Sequence, residues 1–297
     1  MSNHGHVADP GAPPGWTALD TGTEHLLAAQ ARGVLSLTLN RPEVRNAMSL
    51  PMLDALAAML GYADECADVH VVVLAGAGGT FCAGGDLTML ARGASIYGAP
   101  DDAAGRLARQ QAAQRGTAVR LHELAKPTFA LIEGTAIGAG LGLALACDLR
   151  YAAASATLRT GFGRLGLAGD FGCTWFLRRL AGPAAALELL YFSKPLAAVR
   201  AHELGLVTET VADEQLRSRV MNLARRLADA PQDAVRAMKQ HVTRAGRAGL
   251  AECADAEAEW HVRLAGGDDH RAAVRALTHR LSAPHVSDAR KSGDDQS

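Results

Sequence analysis

From Gly33 the chain reads VLSLTLN, where Leu35, Leu37 and Leu39 alternate with Ser36 and Thr38. A period of two marks a half-buried strand. The loop RPEVRNAMS follows, and Ser49 then stands where it can cap a helix whose Leu53, Leu56 and Leu60 share one face. His70 to Leu74 (HVVVL) predicts a short buried strand, and AGAGGTFCAGGDL behind it a glycine-dense loop. Residues 101–124 are mixed polar and predict a partly exposed helix. Pro127 opens a second apolar strand, TFALIEG; a glycine turn follows, then an apolar helix over 140–147. DLRYAAA predicts another strand, and Gly161 to Gly172 another loop. From Thr174 the chain turns helical and arginine-rich, broken at Gly182-Pro183, Pro195 and Pro231. Stretches 213–227, 231–246 and 250–283 predict three more helices. The organisation expected is a tail over 1–18, a core over 19–210, a helical region over 211–284 and a second tail over 285–297, with both tails disordered. Strand–loop–helix units in the first two thirds and helices in the last third make the fold class α/β with a helical C-terminal part.

Composition narrows the partners. Of 297 residues, 48% are hydrophobic and 21% charged, which suits a large globular core. Thirty basic residues face 31 acidic ones, so a broad basic face for nucleic acid or anionic lipid is not expected. Cys66, Cys82, Cys147, Cys173 and Cys253 form no C-x-x-C pair, which argues against a disulfide framework and a structural zinc site and for a reducing, cytoplasmic setting. The N-terminus has neither a charged n-region nor an apolar h-region, so no secretory signal is expected. Thr128 to Cys147 is long enough to suggest a membrane span, with Gly134, Gly138 and Gly142 at every fourth position. Glu133 inside it would cost ~3 kcal/mol at mid-bilayer, so a buried strand, a turn and a packed helix is the better parse.

Chemistry concentrates in two glycine loops, each behind an apolar strand and ahead of a helix: CAGGD (Cys82 to Asp86) and GTAIGAG (Gly134 to Gly140). Backbone N–H groups there are unpaired by a helix ladder and favour negative charge. Two of them aimed at one point make an oxyanion hole. Either loop alone is more often a tight turn. Neither fits a dinucleotide fingerprint, since Phe81 stands where Gly76 and Gly78 would require a third glycine. No phosphate-binding P-loop or G-x-S-x-G elbow occurs.

NRPEVRNAMS, VVVLAGAGGTFCAGGDL, ALIEGTAIGAGLGLALACDLR and GRLGLAGDFGCTWFLRRLAG follow one another in an order that resembles the crotonase superfamily, the enoyl-CoA hydratase/isomerase family, over about residues 20–283. The resemblance implies a spiral of ββα turns with a C-terminal helical region that trimerises, as a homotrimer or a dimer of trimers. It implies an acyl-CoA thioester as substrate, with coenzyme A part of that substrate and no separate cofactor. By position, the thioester oxygen would sit between the N–H groups of Gly85 and Ala139. Main chain near Val44, Arg45 and Ala47 would serve the adenine and pantetheine, with Ala83, Gly85, Asp86, Leu87 and Thr88 lining the thioester end. Removing a proton beside a thioester makes an enolate, and donors aimed at its oxygen stabilise that charge more than the neutral ground state.

The sequence departs from the hydratase pattern. The two glutamates that hydratases of the family carry correspond here to Gly142 and Phe162, neither of which can move a proton. The remaining loop carboxylate, Asp170 in LAGDFG, matches the aspartate of ring-acting members, of the 1,2-epoxyphenylacetyl-CoA isomerase and 4-chlorobenzoyl-CoA dehalogenase types. One carboxylate can carry a proton between two carbons without activated water, so an isomerase of a double bond or of an oxepin-forming epoxide is expected, nearest to the first type. Its rival role is a cap for the helix near Thr174. Asp86 reads chiefly as the cap of the helix after its loop, His122 and Glu123 as solvated helix-face residues, His70 as a strand-edge residue, and Trp175 and Phe176 as core or acyl-pocket wall. Near the end, ALTHR offers Arg280 without the lysine the family pattern pairs with it for phosphates, and helices around Trp260 would meet a neighbouring subunit. The alternatives are a hydratase or lyase of the same family, or a weakly catalytic acyl-CoA-binding or RNA-binding relative.

Overall fold

The computed structural model describes residues 15–99 and 101–282. Thr17–Leu19 (β1), Leu26–Ala31 (β2) and Val34–Leu39 (β3) form an antiparallel run. Arg32 and Gly33 join β2 to β3 with positive φ at both positions (47° and 75°), the tight turn that matches strand twist. Leu50–Glu65 (α1) follows, capped by the Ser49 hydroxyl, which accepts from the Met52 N–H. Val71–Gly76 (β4) leads through the first glycine loop to Leu87–Ala91 (α2), Ala103–Gln114 (α3), a π turn over Arg115–Val119 and Arg120–Glu123 (α4).

The next two turns share a plan. Thr128–Ile132 (β5), Thr135–Ile137 (β6) and Ala139–Ala146 (α5) make one; Leu149–Ala153 (β7), Thr157–Arg159 (β8) and Cys173–Phe192 (α6) make the next. Leu196–Ala197 (β9), Ala198–Glu203 (α7), Glu209–Val211 (β10) and Asp213–Ala228 (α8) complete the layers, followed by Gln232–Ala245 (α9), Leu250–Ala265 (α10) and Asp268–Ser282 (α11). The large sheet runs β1-β2-β3-β4-β5-β7-β10, parallel from β3 onward, and a small sheet runs β6-β8-β9. Each repeat thus sends a long strand to the large sheet, a short one to the small sheet, and then a helix. β4 and β5 are buried at every position, as expected of central parallel strands covered on both faces. α8 lays Leu216, Val220 and Ala224 against that sheet.

Three expectations change, and a fourth falls outside the described residues. Of the predicted N-terminal tail, residues 1–14 lie outside the described residues, but Thr17 and Ala18 belong to an edge strand paired with Gln30 and Ala29. The stretch 250–283 is two helices, because Gly266 and Gly267 interrupt it. The chain divides into compact units at Lys239/Gln240, so α8, grouped from sequence with the C-terminal helices, belongs with the sheet it covers. The tail over 285–297 lies outside the described residues. Among those residues, no helix is long and apolar enough to cross a membrane, and Thr128 to Cys147 is β5, β6 and α5.

Candidate active site

The two glycine loops are stitched together by backbone. Phe81 N–H donates to Glu133 O, Cys82 N–H to Thr135 O, and Ile137 N–H returns to Cys82 O. The loop that contains Arg45 is fastened to the first of these by Ala83 N–H to Arg45 O and Met48 N–H to Gly84 O. Arg45 and Asn46 both have positive φ (54° and 55°), which Asn tolerates best. The fully buried Asn46 amide holds the bend, accepting from Arg41 N–H and donating to Ala77 O and Thr80 O.

Gly84 is where the loops meet. It has φ of 79°, and a Cβ there would stand 2.5 Å from Ile137 O and 3.2 Å from Ala139 N. Only glycine allows that approach. Next to it, Gly85 and Ala139 border one cavity of about 840 Å³, and the N–H of neither is spent on a hydrogen bond among the described residues. Gly84→Ala is expected to wedge the loops apart and lower kcat by ~10²–10³-fold, the scale of losing one oxyanion donor. Steady-state kinetics on folded protein would check it; unchanged kcat would sever the loops' contact from catalysis.

Val44, Arg45, Ala47, Ala83, Asp86, Leu87, Thr88 and Asp170 border the same cavity. Asp86 also caps α2, accepting from Thr88 and Met89 N–H at 3.0 and 3.3 Å. The cap role weighed for Asp170 is not what it does. Gly172, in left-handed geometry, occupies the N-cap of α6, with no side-chain cap. Asp170 Oδ1 instead accepts from Gln110 Nε2, Gln114 Nε2 and the Phe171 N–H. Burial pushes its carboxyl above the usual range, against the Gln110 and Phe171 donors that hold it down. Phe171 sits at φ 47°, a strain of ~1–2 kcal/mol, while its fully buried ring returns ~2–3 kcal/mol. The ring therefore anchors the loop that presents Asp170.

That loop also fills the space where a hydratase of the family carries a glutamate. A Cβ on Gly142 would stand 2.7 Å from Phe171 O and 2.8 Å from Phe171 Cβ. At the second such position the buried Phe162 ring borders the cavity beside Gly138. His122 packs edge-on to Trp175 and Phe176, His70 Nδ1 meets Ala228 O, and none of the four borders the cavity. Burial pushes the Cys82, Cys147 and Cys173 thiols up to about 12, so they stay protonated at neutral pH. Sequence reasoning missed Tyr97, Arg106, Gln110, Arg159 and Arg164, which also border the cavity.

Comparison with known proteins accounts for this arrangement. The family profile described as enoyl-CoA hydratase/isomerase matches residues 29–285. The chain belongs to the enoyl-CoA hydratase/isomerase family. It is 36% identical over 260 residues to the 1,2-epoxyphenylacetyl-CoA isomerase of Escherichia coli (strain K12), covering 87% of this chain and 97% of that one. It is 30% identical over 236 residues to 4-chlorobenzoyl coenzyme A dehalogenase-2 of Arthrobacter sp, covering 79% and 83%. The crystal structure of an enoyl-CoA hydratase from Polaromonas sp. JS666 superposes with a TM-score of 0.77 at 29% identity, covering 86% of this chain and 97% of that one. This family member is an enzyme with a crotonase fold, and its relatives span isomerase, hydratase and dehalogenase chemistry.

Proposed function

We propose that the enzyme isomerises an acyl-CoA thioester through an enolate, with Asp170 as the single proton carrier. The observation that carries this reading is the raised Asp170 carboxyl on the cavity wall, with Asp86 taken up as the cap of α2, Glu43 largely exposed, and both hydratase glutamate positions filled by Gly142 against Phe171 and by Phe162. The thioester carbonyl would accept from the Gly85 and Ala139 N–H groups. Ionised Asp170 would take a proton from C2 of a 3-enoyl thioester, placing charge on the carbonyl oxygen. The neutral acid would return that proton to C4, giving the 2-enoyl product and restoring the carboxylate. Each amide is worth about 3 kcal/mol of barrier. Syn addition of water asks for two proton-moving groups around a water, and Asp86, the other carboxyl at the thioester end, is taken up by the Thr88 and Met89 N–H groups. Coenzyme A enters with the substrate, and this cycle asks for no further group. Similarity to the 1,2-epoxyphenylacetyl-CoA isomerase of Escherichia coli supports isomerase chemistry on an acyl-CoA thioester.

The test is a side-by-side assay of wild-type enzyme on 3-hexenoyl-CoA and crotonyl-CoA. Isomerisation of the first at an enzymatic rate, with hydration of the second at least ~10²-fold slower, is expected. The reverse order would refute the isomerase. The family resemblance extends the proposal to a homotrimer or a dimer of trimers, supported by Tyr191 and Phe192 at 69% and 62% exposed at the end of α6. Analytical ultracentrifugation showing a monomer at micromolar concentration would overturn that part.

A further inference from the structure

Gln110 and Gln114 lie four residues apart and so on one face of α3. Both Nε2 groups donate to the same atom, Oδ1 of Asp170, at 3.1 and 2.6 Å. The Phe171 N–H adds a third bond to Oδ1 at 3.0 Å. Oδ2 receives no hydrogen bond among the described residues. A carboxylate oxygen offers about two lone-pair sites, so Oδ1 is more than saturated and Oδ2 is left for a ligand. Three donors on Oδ1 also exclude a proton from that oxygen. When the carboxyl is neutral its hydrogen must sit on Oδ2, the atom that has to release it again. A π turn begins immediately after Gln114, and such insertions re-aim the helix that carries them.

We infer that Gln110 and Gln114 are positioning residues, which turn Oδ2 of Asp170 toward the substrate and hold the carboxylate charge inside the cavity. This rests on Asp170 being the proton carrier, and goes beyond that reading by assigning one oxygen to the chemistry and two side chains to its control. Other groups around Asp170 do not serve instead. Tyr97 and Cys173 face it, and burial keeps both protonated at neutral pH. Arg106 borders the cavity from α3 and makes no hydrogen bond to Asp170 among the described residues.

The experiment compares wild type, Gln110→Leu, the Gln110→Leu/Gln114→Leu pair and Asp170→Asn on 3-hexenoyl-CoA across pH, with a ¹³C NMR titration of the Asp170 carboxyl identified by its loss in Asp170→Asn. The double variant is expected to lose ~10–10²-fold in kcat with KM within about twofold. Its acidic limb and the ¹³C midpoint should both move up by about one pH unit, because the lost donors favoured the charged form. Gln110→Leu alone, at a partly exposed position, should show a smaller shift in the same direction and suffices if the double variant fails to fold. Unshifted limb and midpoint, with Asp170→Asn inactive, would overturn the inference and leave the proposed function standing. Full activity in Asp170→Asn would overturn both.

Discussion

Asp170→Asn is expected to lower isomerase turnover by ~10²–10⁴-fold, the usual contribution of a positioned acid/base. Asparagine keeps the volume and can still accept from the Gln110 and Gln114 amides that now hold Oδ1. The loss should therefore fall on kcat while coenzyme A affinity is retained. Stability should move the other way. Burial raises the carboxyl of Asp170 in the folded chain, so between the ordinary carboxylate value and the raised one the native state binds more protons than the unfolded state. Wild-type stability falls as pH rises through that window, and above it the charged carboxylate stays a burden that asparagine lacks. The variant's Tm should be no lower than wild type at pH 8, with the difference shrinking in acid. Calorimetry at two pH values checks it; a variant markedly less stable at pH 8 would mean the carboxylate has a structural partner instead.

The second large effect is expected at Gly142. Restoring a hydratase-like glutamate there by Gly142→Glu should not create a hydratase. The new Cβ would lie 2.7 Å from Phe171 O and 3.3 Å from Asp170 O, both backbone atoms that cannot rotate aside. Overpacking of this kind costs ~1–3 kcal/mol or more, and relief would have to displace the loop carrying Asp170. A lowered Tm and loss of isomerisation are expected together, and Gly142→Ala should show the same stability loss with less disruption. A stable Gly142→Glu enzyme that hydrates crotonyl-CoA would mean the loop yields easily, and the argument from steric exclusion would be wrong.

Much of the site was legible because it is built from main chain. A donor N–H needs only a loop of the right shape, and glycine spacing in CAGGD and GTAIGAG records that shape directly. Asp170 was legible as a residue but not as an orientation. What holds it comes from α3, and Gln110 and Gln114 on a polar helix look like any solvated face until Asp170, 60 and 56 residues away, folds against them. Asn46 was hidden likewise, as one polar residue in a loop whose partners, Ala77 and Thr80, lie on the far side of α1 and β4 in sequence. In the fold, β4 and β5 showed themselves as apolar runs, whereas β2, with LLAAQA, has helix-like composition and becomes a strand only by pairing with β3. β6 and β8 are three residues each, too short for a period to register.

Crystals of the wild-type enzyme soaked with phenylacetyl-CoA, whose thioester is intact and which has no double bond to move, would test the central claim most directly. The carbonyl oxygen is expected ~3 Å from both the Gly85 and Ala139 nitrogens, with Asp170 Oδ2, not Oδ1, the carboxyl oxygen nearer the α-carbon. A carbonyl bound away from those two amides, or an α-carbon reached by no atom of Asp170, would contradict it.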